Sequence, residues 1–94
     1  MQVYFTRAAR EDLITIWAHI AEDNPQAADR VLDRLEGAAS RLADNPQIGP
    51  ARDDIRPGLR SLVNGPCLLP YRIRDGRIEI VRAVHRLRDL HGLF

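Results

Sequence analysis

Hydrophobic residues recur at helical spacing in two stretches of the N-terminal half. The first predicts a helix over residues 7–22, capped by Thr6, with an apolar stripe formed by Ala9, Leu13, Ile16, Trp17 and Ile20. The second predicts a helix from Pro25 to about Ala43, capped by Asn24, with a stripe formed by Ala28, Val31, Leu32, Leu35, Ala39 and Leu42. The short link makes the pair an antiparallel hairpin, and both stripes need a sheet to cover them.

Strand patterns stand on both sides of this hairpin. Residues 2–5 predict a first strand, and after a Pro/Gly-rich loop at 44–58 three more are predicted at Leu59–Val63, Cys67–Arg74 and Arg77–His85. Pro70 cannot donate to a ladder, so it predicts a bulge or an N side turned away from any neighbour. The order β-α-α-β-β-β predicts an α+β domain with the helical hairpin packed on one face of a mostly antiparallel four-stranded sheet.

Length and composition limit the class of protein. A chain of 94 residues, 45% hydrophobic and 29% charged, is expected to form a single globular domain over 1–94. It has no apolar run near the roughly 18 residues of a membrane span and no leader pattern, so a cytoplasmic protein without membrane contact is expected. The lone Cys67 excludes an intrachain disulfide and a cysteine-based zinc site.

Charge is divided unevenly along the chain, and all 14 basic residues are arginine. Residues 1–54 hold six arginines against ten acids, a net −4, whereas residues 55–94 hold eight against three, a net +5. Strand alternation places Leu69, Tyr71 and Ile73 toward the core, and Leu68 and Pro70 on the outward face. The outward face is also predicted to carry four arginines, the last of them less clearly: Arg60, Arg72, Arg74 and Arg82. Such a face suits an acidic protein or a nucleic acid, although ordinary solvated arginines are the simpler explanation of the charge taken by itself.

Side chains with catalytic chemistry are densest at the end, in His85-Arg86-Leu87-Arg88-Asp89. A histidine and arginines at a strand exit could perform general acid–base chemistry on a phosphodiester. The competing interpretation is that Arg88 and Asp89 form a structural pair and that His85 caps the strand. No Gly-rich phosphate loop, nucleophile elbow or metal-ligand spacing occurs, so neither a cofactor nor a metal is predicted.

Four segments, taken together and in this order, resemble the RelE/ParE superfamily of bacterial type II toxin–antitoxin toxins, and more closely its ParE branch. They are AREDLITIWAHIAEDNPQAADR, LADNPQIGPARDDIRPGLRSL, LLPYRI and IEIVRAVHRLRDLHGLF. The resemblance covers essentially the whole chain, and the fold it implies agrees with the element order above.

The resemblance implies a partner. A cognate antitoxin would neutralise the toxin through its C-terminal segment, giving a hetero-oligomer, and would contact operator DNA itself, so that the toxin reaches DNA only indirectly. An acidic antitoxin tail on the basic sheet end would use Arg60, Arg72 and Arg74.

The resemblance also implies two alternative targets. ParE-like toxins act on DNA gyrase, whereas RelE-like toxins cleave messenger RNA in the ribosome. The chain departs from the ribonuclease pattern, because Leu68 stands where an arginine is expected and the terminal aromatic, Phe94, has no hydroxyl. We therefore predict a gyrase inhibitor that acts by binding, without an active site of its own. Its target-facing residues would be Arg82, His85, Arg88, Asp89, Leu93 and Phe94, with Arg60, Tyr71 and Arg72 in support. The alternative is a ribosome-dependent mRNA endoribonuclease in which His85, Arg82 and Arg88 are catalytic.

Overall fold

A computed structural model describes residues 1–94, which form three helices and five strands. The elements are β1 (Gln2–Phe5), α1 (Arg7–Ala21), α2 (Pro25–Asp44), β2 (Leu59–Asn64), β3 (Cys67–Arg74), β4 (Arg77–Ile80), β5 (Val84–His85) and α3 (Leu90–Leu93). No helix is both long enough and apolar enough to cross a bilayer.

Local capping fixes where the two long helices begin. The Thr6 hydroxyl accepts the Ala9 N–H at 3.2 Å, and the Asn24 side-chain oxygen accepts the Ala27 N–H at 3.1 Å. Pro25 occupies the first turn of α2, where no N–H is required. Both predicted caps and the predicted hairpin are confirmed.

The sheet is mixed, with the order β1-β4-β3-β2, and β5 pairs with β3 beyond the end of β4. Only the β1–β4 pair is parallel. The helical hairpin covers one face, and the main core between the layers contains the fully buried side chains of Leu35, Leu42, Leu69, Tyr71, Ile78 and Ile80. The predicted α+β architecture is therefore confirmed.

The predicted strand Arg77–His85 is wrong in one respect, because the chain leaves the ladder between Ile80 and Val84. Tyr71 pairs with Ile80 and Leu68 with Val84, so two residues of β3 face three residues of the partner segment. This extra residue is a β-bulge, and it lies opposite Pro70, as the sequence predicted. The Pro70 carbonyl still accepts the Val81 N–H at 2.9 Å.

The loop between α2 and β2 is anchored to the core by Tyr71. Its hydroxyl donates to the Pro46 carbonyl at 2.8 Å and accepts the Gly49 N–H at 2.9 Å. A Cβ at position 49 would lie 2.7 Å from both the Ser61 carbonyl oxygen and the Tyr71 ring, so only glycine fits there. Tyr71 is therefore a core residue without the surface access that its predicted supporting role at a target requires.

The second sheet face is not open along its whole length, contrary to the prediction. Leu68 and Pro70, predicted to face solvent, are buried. Leu68 packs with Val84 and Leu90 in a small second cluster, because the C-terminal tail folds back over this end of the sheet. Ile73, predicted for the core, is 39% exposed at the far end of β3.

Candidate functional site

The Arg82 guanidinium is held by helix α1. Its Nε and Nη2 donate to the Asp12 carboxylate at 2.6 and 2.9 Å, and the same carboxylate accepts the Ala83 N–H at 3.0 Å. The hydrogen bond that Arg82 donates to Asp12 raises the pKa of Arg82. Asp12 thus connects the bulge to the helix layer, and the Arg82 guanidinium is engaged in an ion pair within the fold.

His85 lies on the helix side of the sheet, beside Cys67. Its Nδ1 accepts the Leu87 N–H at 3.2 Å, so the proton of the neutral ring is assigned to Nε2. This hydrogen bond gives His85 a capping role at the end of the strand, which was one of the two alternatives that the sequence left open; the other was catalysis. A cavity of about 420 Å³ adjoins the ring and is lined by Thr15, Ile16, His19, Ile20, Pro66 and Cys67 as well. Nowhere in the structure do three or more His, Cys, Asp or Glu side chains gather in a way that could hold a metal ion.

Cys67 is expected to resist thiol reagents in the folded protein. It is 3% exposed, and burial raises the pKa of its thiol, so both access and thiolate formation are suppressed. Its reaction with Ellman's reagent at pH 8 should be at least about 100-fold slower than in denaturant. A Ser40→Cys substitution in a Cys67→Ala background provides an exposed control on α2. Equal rates for the two cysteines in the folded state would show that the β3–β5 pairing opens readily.

Residues 85–88 form a tight turn next to the β2–β3 connection. The Arg88 N–H donates to the His85 carbonyl at 2.8 Å, and the Arg86 N–H donates to the Pro66 carbonyl at 2.9 Å. The side chains of Arg86, Leu87 and Arg88 are nevertheless exposed, and Leu87 is 80% exposed. The structural Arg88–Asp89 pair suggested by the sequence is not formed.

The C-terminal tail packs on the sheet face opposite the helices. Asp89 caps the short helix α3 by accepting the His91 N–H at 3.0 Å. Leu90 is buried against the sheet, and Leu93 and Phe94 are half-buried beside it. The Arg56 guanidinium lies 5.2 Å from the centre of the Phe94 ring. Leu93 and Phe94 therefore serve the small second cluster in this conformation.

A polar network covers the open part of the same sheet face. The Glu79 carboxylate accepts from Arg72 Nε at 2.5 Å and from the Tyr4 hydroxyl. Arg77 lies 5.2 Å from the centre of the Tyr4 ring, and Arg74 is exposed at the end of the strand. Arg72 is thus paired, and Arg74 is the more accessible of the two predicted antitoxin contacts that lie on this face.

Arg60 lies on the opposite face, so its predicted grouping with Arg72 and Arg74 is wrong. It pairs with Tyr71 across the β2–β3 ladder and shares the helix-side face of the sheet with it. Its Nη1 donates to the carbonyls of Gln47 and Gly49, at 3.3 and 2.8 Å. The guanidinium thereby closes the loop that Tyr71 anchors.

The residues predicted to meet the target are divided between the two sides of the sheet. His85 and Arg82 are on the helix side, whereas Leu93 and Phe94 belong to the tail on the other face. Arg88 is on the turn between the two sides, and Asp89 begins the tail as its cap. No hydrogen bond links the side chains of His85, Arg82 and Arg88, because Arg82 is paired with Asp12 and the His85 ring accepts from the backbone of Leu87.

The most prominent concave surface was missed by the sequence analysis. It is a groove of about 520 Å³ between α1 and α2, here called the helix groove, lined by Phe5, Leu13, Ile14, Trp17, Leu32 and Leu35, with Arg10 and Glu36 as charged members. Ile14 is 69% exposed and Trp17 is 38% exposed. The indole N–H of Trp17 donates to Asp29 on α2 at 3.0 Å, which fixes the ring as one wall of the groove.

Comparison with known proteins identifies the family. A family model described as the ParE toxin of the type II toxin–antitoxin system parDE matches residues 3–90. The ParE1 toxin of Mycobacterium tuberculosis is 44% identical over 64 residues, which are 67% of this chain and 65% of that toxin's length. The RelE2 toxin of Caulobacter vibrioides is 38% identical over 88 residues, 93% of this chain and 97% of that toxin.

A solved structure gives the same assignment. The chromosomal ParDE toxin–antitoxin system of P. aeruginosa contains a chain that superposes with a TM-score of 0.77 at 26% identity, covering 90% of this chain and 95% of that one. The family model and the superposition each cover nearly the whole length of this chain. The chain belongs to the ParE toxin family of type II toxin–antitoxin systems, within the RelE/ParE superfamily.

Proposed function

We propose that this toxin stops cell growth by binding DNA gyrase in the cytoplasm and has no active site of its own. The observation that carries the proposal is the engagement of Arg82 by Asp12, which gives one of the two arginines of the predicted catalytic set a structural ion pair within the fold. The terminal Phe94 adds to this, since it has no hydroxyl and packs beside Leu90. Binding to a target needs neither a free Arg82 nor a terminal hydroxyl, whereas acid–base catalysis by the predicted residues would need such groups to be available.

A second candidate is mRNA cleavage on the ribosome. The relative named RelE2 matches 93% of this chain, whereas the M. tuberculosis ParE1 toxin matches 67%. The experiment below therefore also measures mRNA cleavage. It would require movement of the tail or of Arg82 to assemble basic groups around RNA.

Controlled expression in a sensitive bacterium separates the two candidates. We expect DNA synthesis to fall within minutes and before protein synthesis, and purified gyrase to lose supercoiling activity when the toxin is added. The folded variant Arg82→Ala tests for catalysis. If the toxin acts by binding gyrase, the variant should still inhibit DNA synthesis before protein synthesis. An early fall in protein synthesis, with mRNA cut at defined codon positions, would contradict the gyrase proposal.

We also propose that the helix groove, rather than the basic sheet end, is the main site for the antitoxin. An apolar groove between two helices, with charged residues among its lining, is suited to the apolar face of an amphipathic helix. Ile14 and Trp17 are large and exposed, and Trp17 is held in one orientation, so ordering it on binding costs little. Arg10 and Glu36 would set the register of the bound helix through its charged residues.

A further inference from the structure

In the turn at residues 85–88, the backbone N–H groups of Arg86, Leu87 and Arg88 are all hydrogen-bonded, whereas the side chains of these residues are not. Its amides bond to His85 and Pro66, as described above, so the turn is held firmly against the β2–β3 connection. The side chains of Arg86, Leu87 and Arg88 join no hydrogen bond, ion pair or hydrophobic cluster. The fold therefore fixes the position of these three side chains without using them for its own stability.

The exposed side chains form an apolar tip between two positive charges. Leu87, at 80%, is the most exposed large hydrophobic residue of the chain. No carboxylate lies within 4.0 Å of the guanidinium of Arg86 or Arg88, so their charges are uncompensated. Arg34 of α2 extends toward the adjoining turn, with its Nη1 3.8 Å from the place of a Cβ at Gly65. This end of the molecule is thus basic around one apolar residue.

We infer that the Arg86-Leu87-Arg88 turn is the element that engages the toxin's target, and that it fits an acidic protein surface with an apolar notch. This inference rests on the proposed function and assigns the contact surface that the proposal leaves open. A preorganised apolar anchor flanked by arginines loses little entropy on binding, and arginine is enriched in protein interfaces. The two charges would speed encounter with an acidic partner and make binding salt-dependent.

The turn is separate from the helix groove that we propose for the antitoxin. The turn lies between the two faces of the sheet, joined to the β2–β3 connection, whereas the helix groove is formed by α1, α2 and β1. Substitutions in the turn should accordingly leave the affinity for the antitoxin unchanged and affect only the action on the target.

Inhibition of gyrase supercoiling by the purified full-length toxin tests the inference. We expect Leu87→Glu, and separately the double variant Arg86→Ser/Arg88→Ser, to raise the half-inhibitory concentration at least 10-fold. The double variant should also lose most of the parent's salt dependence. Ile73→Glu is the matched control, because Ile73 is exposed and also stands between two arginines; Arg30→Ser/Arg41→Ser controls for charge. Thermal unfolding followed by circular dichroism must show that all the variants are folded.

The outcomes separate this inference from the proposed function. Equal inhibition by the parent and Leu87→Glu would overturn the role of the turn while gyrase remains the target. If the parent does not inhibit gyrase, the proposed function fails, and the turn is then tested by growth arrest. Loss of growth arrest in Leu87→Glu supports the inference about the turn, and retention of growth arrest overturns the inference. If the parent binds a bare DNA duplex and the turn variants do not, the partner of the turn is a nucleic acid, and the assignment of a protein partner is overturned.

Discussion

Replacing Asp12 by alanine is expected to lower the free energy of unfolding by about 3 kcal/mol, a large part of the stability of a domain of this size. The substitution leaves the Arg82 guanidinium and the Ala83 N–H without their acceptor at a site where the Asp12 side chain is only 16% exposed. For about 90–100 residues this corresponds to a fall of roughly 10–20 °C in Tm. Thermal unfolding and chemical denaturation both measure it.

The neighbouring Glu11 provides a matched control. It faces solvent and pairs with Arg7 at 3.4 Å on the same helix, with side chains 67% and 88% exposed. Glu11→Ala should therefore change stability by no more than about 0.5 kcal/mol. Asp12→Asn keeps an acceptor but loses the charge and should be intermediate. If Asp12→Ala were as harmless as Glu11→Ala, the carboxylate would not be what holds the bulge.

A double-substitution cycle isolates the pair itself. Asp12→Ala/Arg82→Ala removes the guanidinium that the single variant leaves unpaired, so the two effects should be less than additive by at least about 1 kcal/mol. Hydrogen exchange at the Ala83 amide should speed up in every variant that lacks the carboxylate. Additive effects with unchanged exchange would assign the stability loss to α1 instead.

Local sequence determined much of the fold and little of the site. The caps at Thr6 and Asn24 arise from hydrogen bonds spanning three residues, and for that reason the helix boundaries were predictable. The break after Ile80 was not, because the groups that satisfy the freed backbone include a carboxylate 71 residues away from Ala83 in the chain. Pro70 was the one local feature of the sequence that correctly predicted a bulge in this part of the sheet.

Errors about the site have a common physical cause. Alternation along one strand fixes which residues share a face, but not how the faces of separate strands correspond. The β2–β3 register, which aligns Arg60 with Tyr71, decides that Arg60 faces the helix layer. Likewise, Trp17 satisfies the apolar period of α1, yet packing against α2 leaves it as a groove wall. The signal that could have revealed the groove was Ile14, an apolar residue next to the stripe with no predicted partner.

Replacing Ile14 by glutamate is expected to release the toxin from its antitoxin, with affinity falling at least 100-fold, or about 2.7 kcal/mol. The proposed site would bury this charge among Leu13, Trp17 and Leu32. Arg10, one turn earlier on α1, lines the same groove, but pairing with it would not restore the apolar contact that Ile14 supplies. Ile14 is 69% exposed in the free toxin, so the variant should fold normally. Calorimetric titration with the protein encoded beside the toxin gene measures the loss, and co-expression should no longer rescue growth.

Two further variants make this result specific to the helix groove. Ile48→Glu introduces the same charge at an exposed apolar residue outside the groove and should remain neutralised. Arg74→Ser removes the accessible arginine from the open sheet face and should weaken binding by less than 10-fold, because an exposed rim charge contributes little equilibrium affinity. Normal neutralisation of Ile14→Glu together with escape of Arg74→Ser would place the antitoxin on the sheet face, as the charge division of the sequence first suggested. Escape of Ile14→Glu alone would mean that apolar burial between α1 and α2, not charge, determines which partner this toxin accepts.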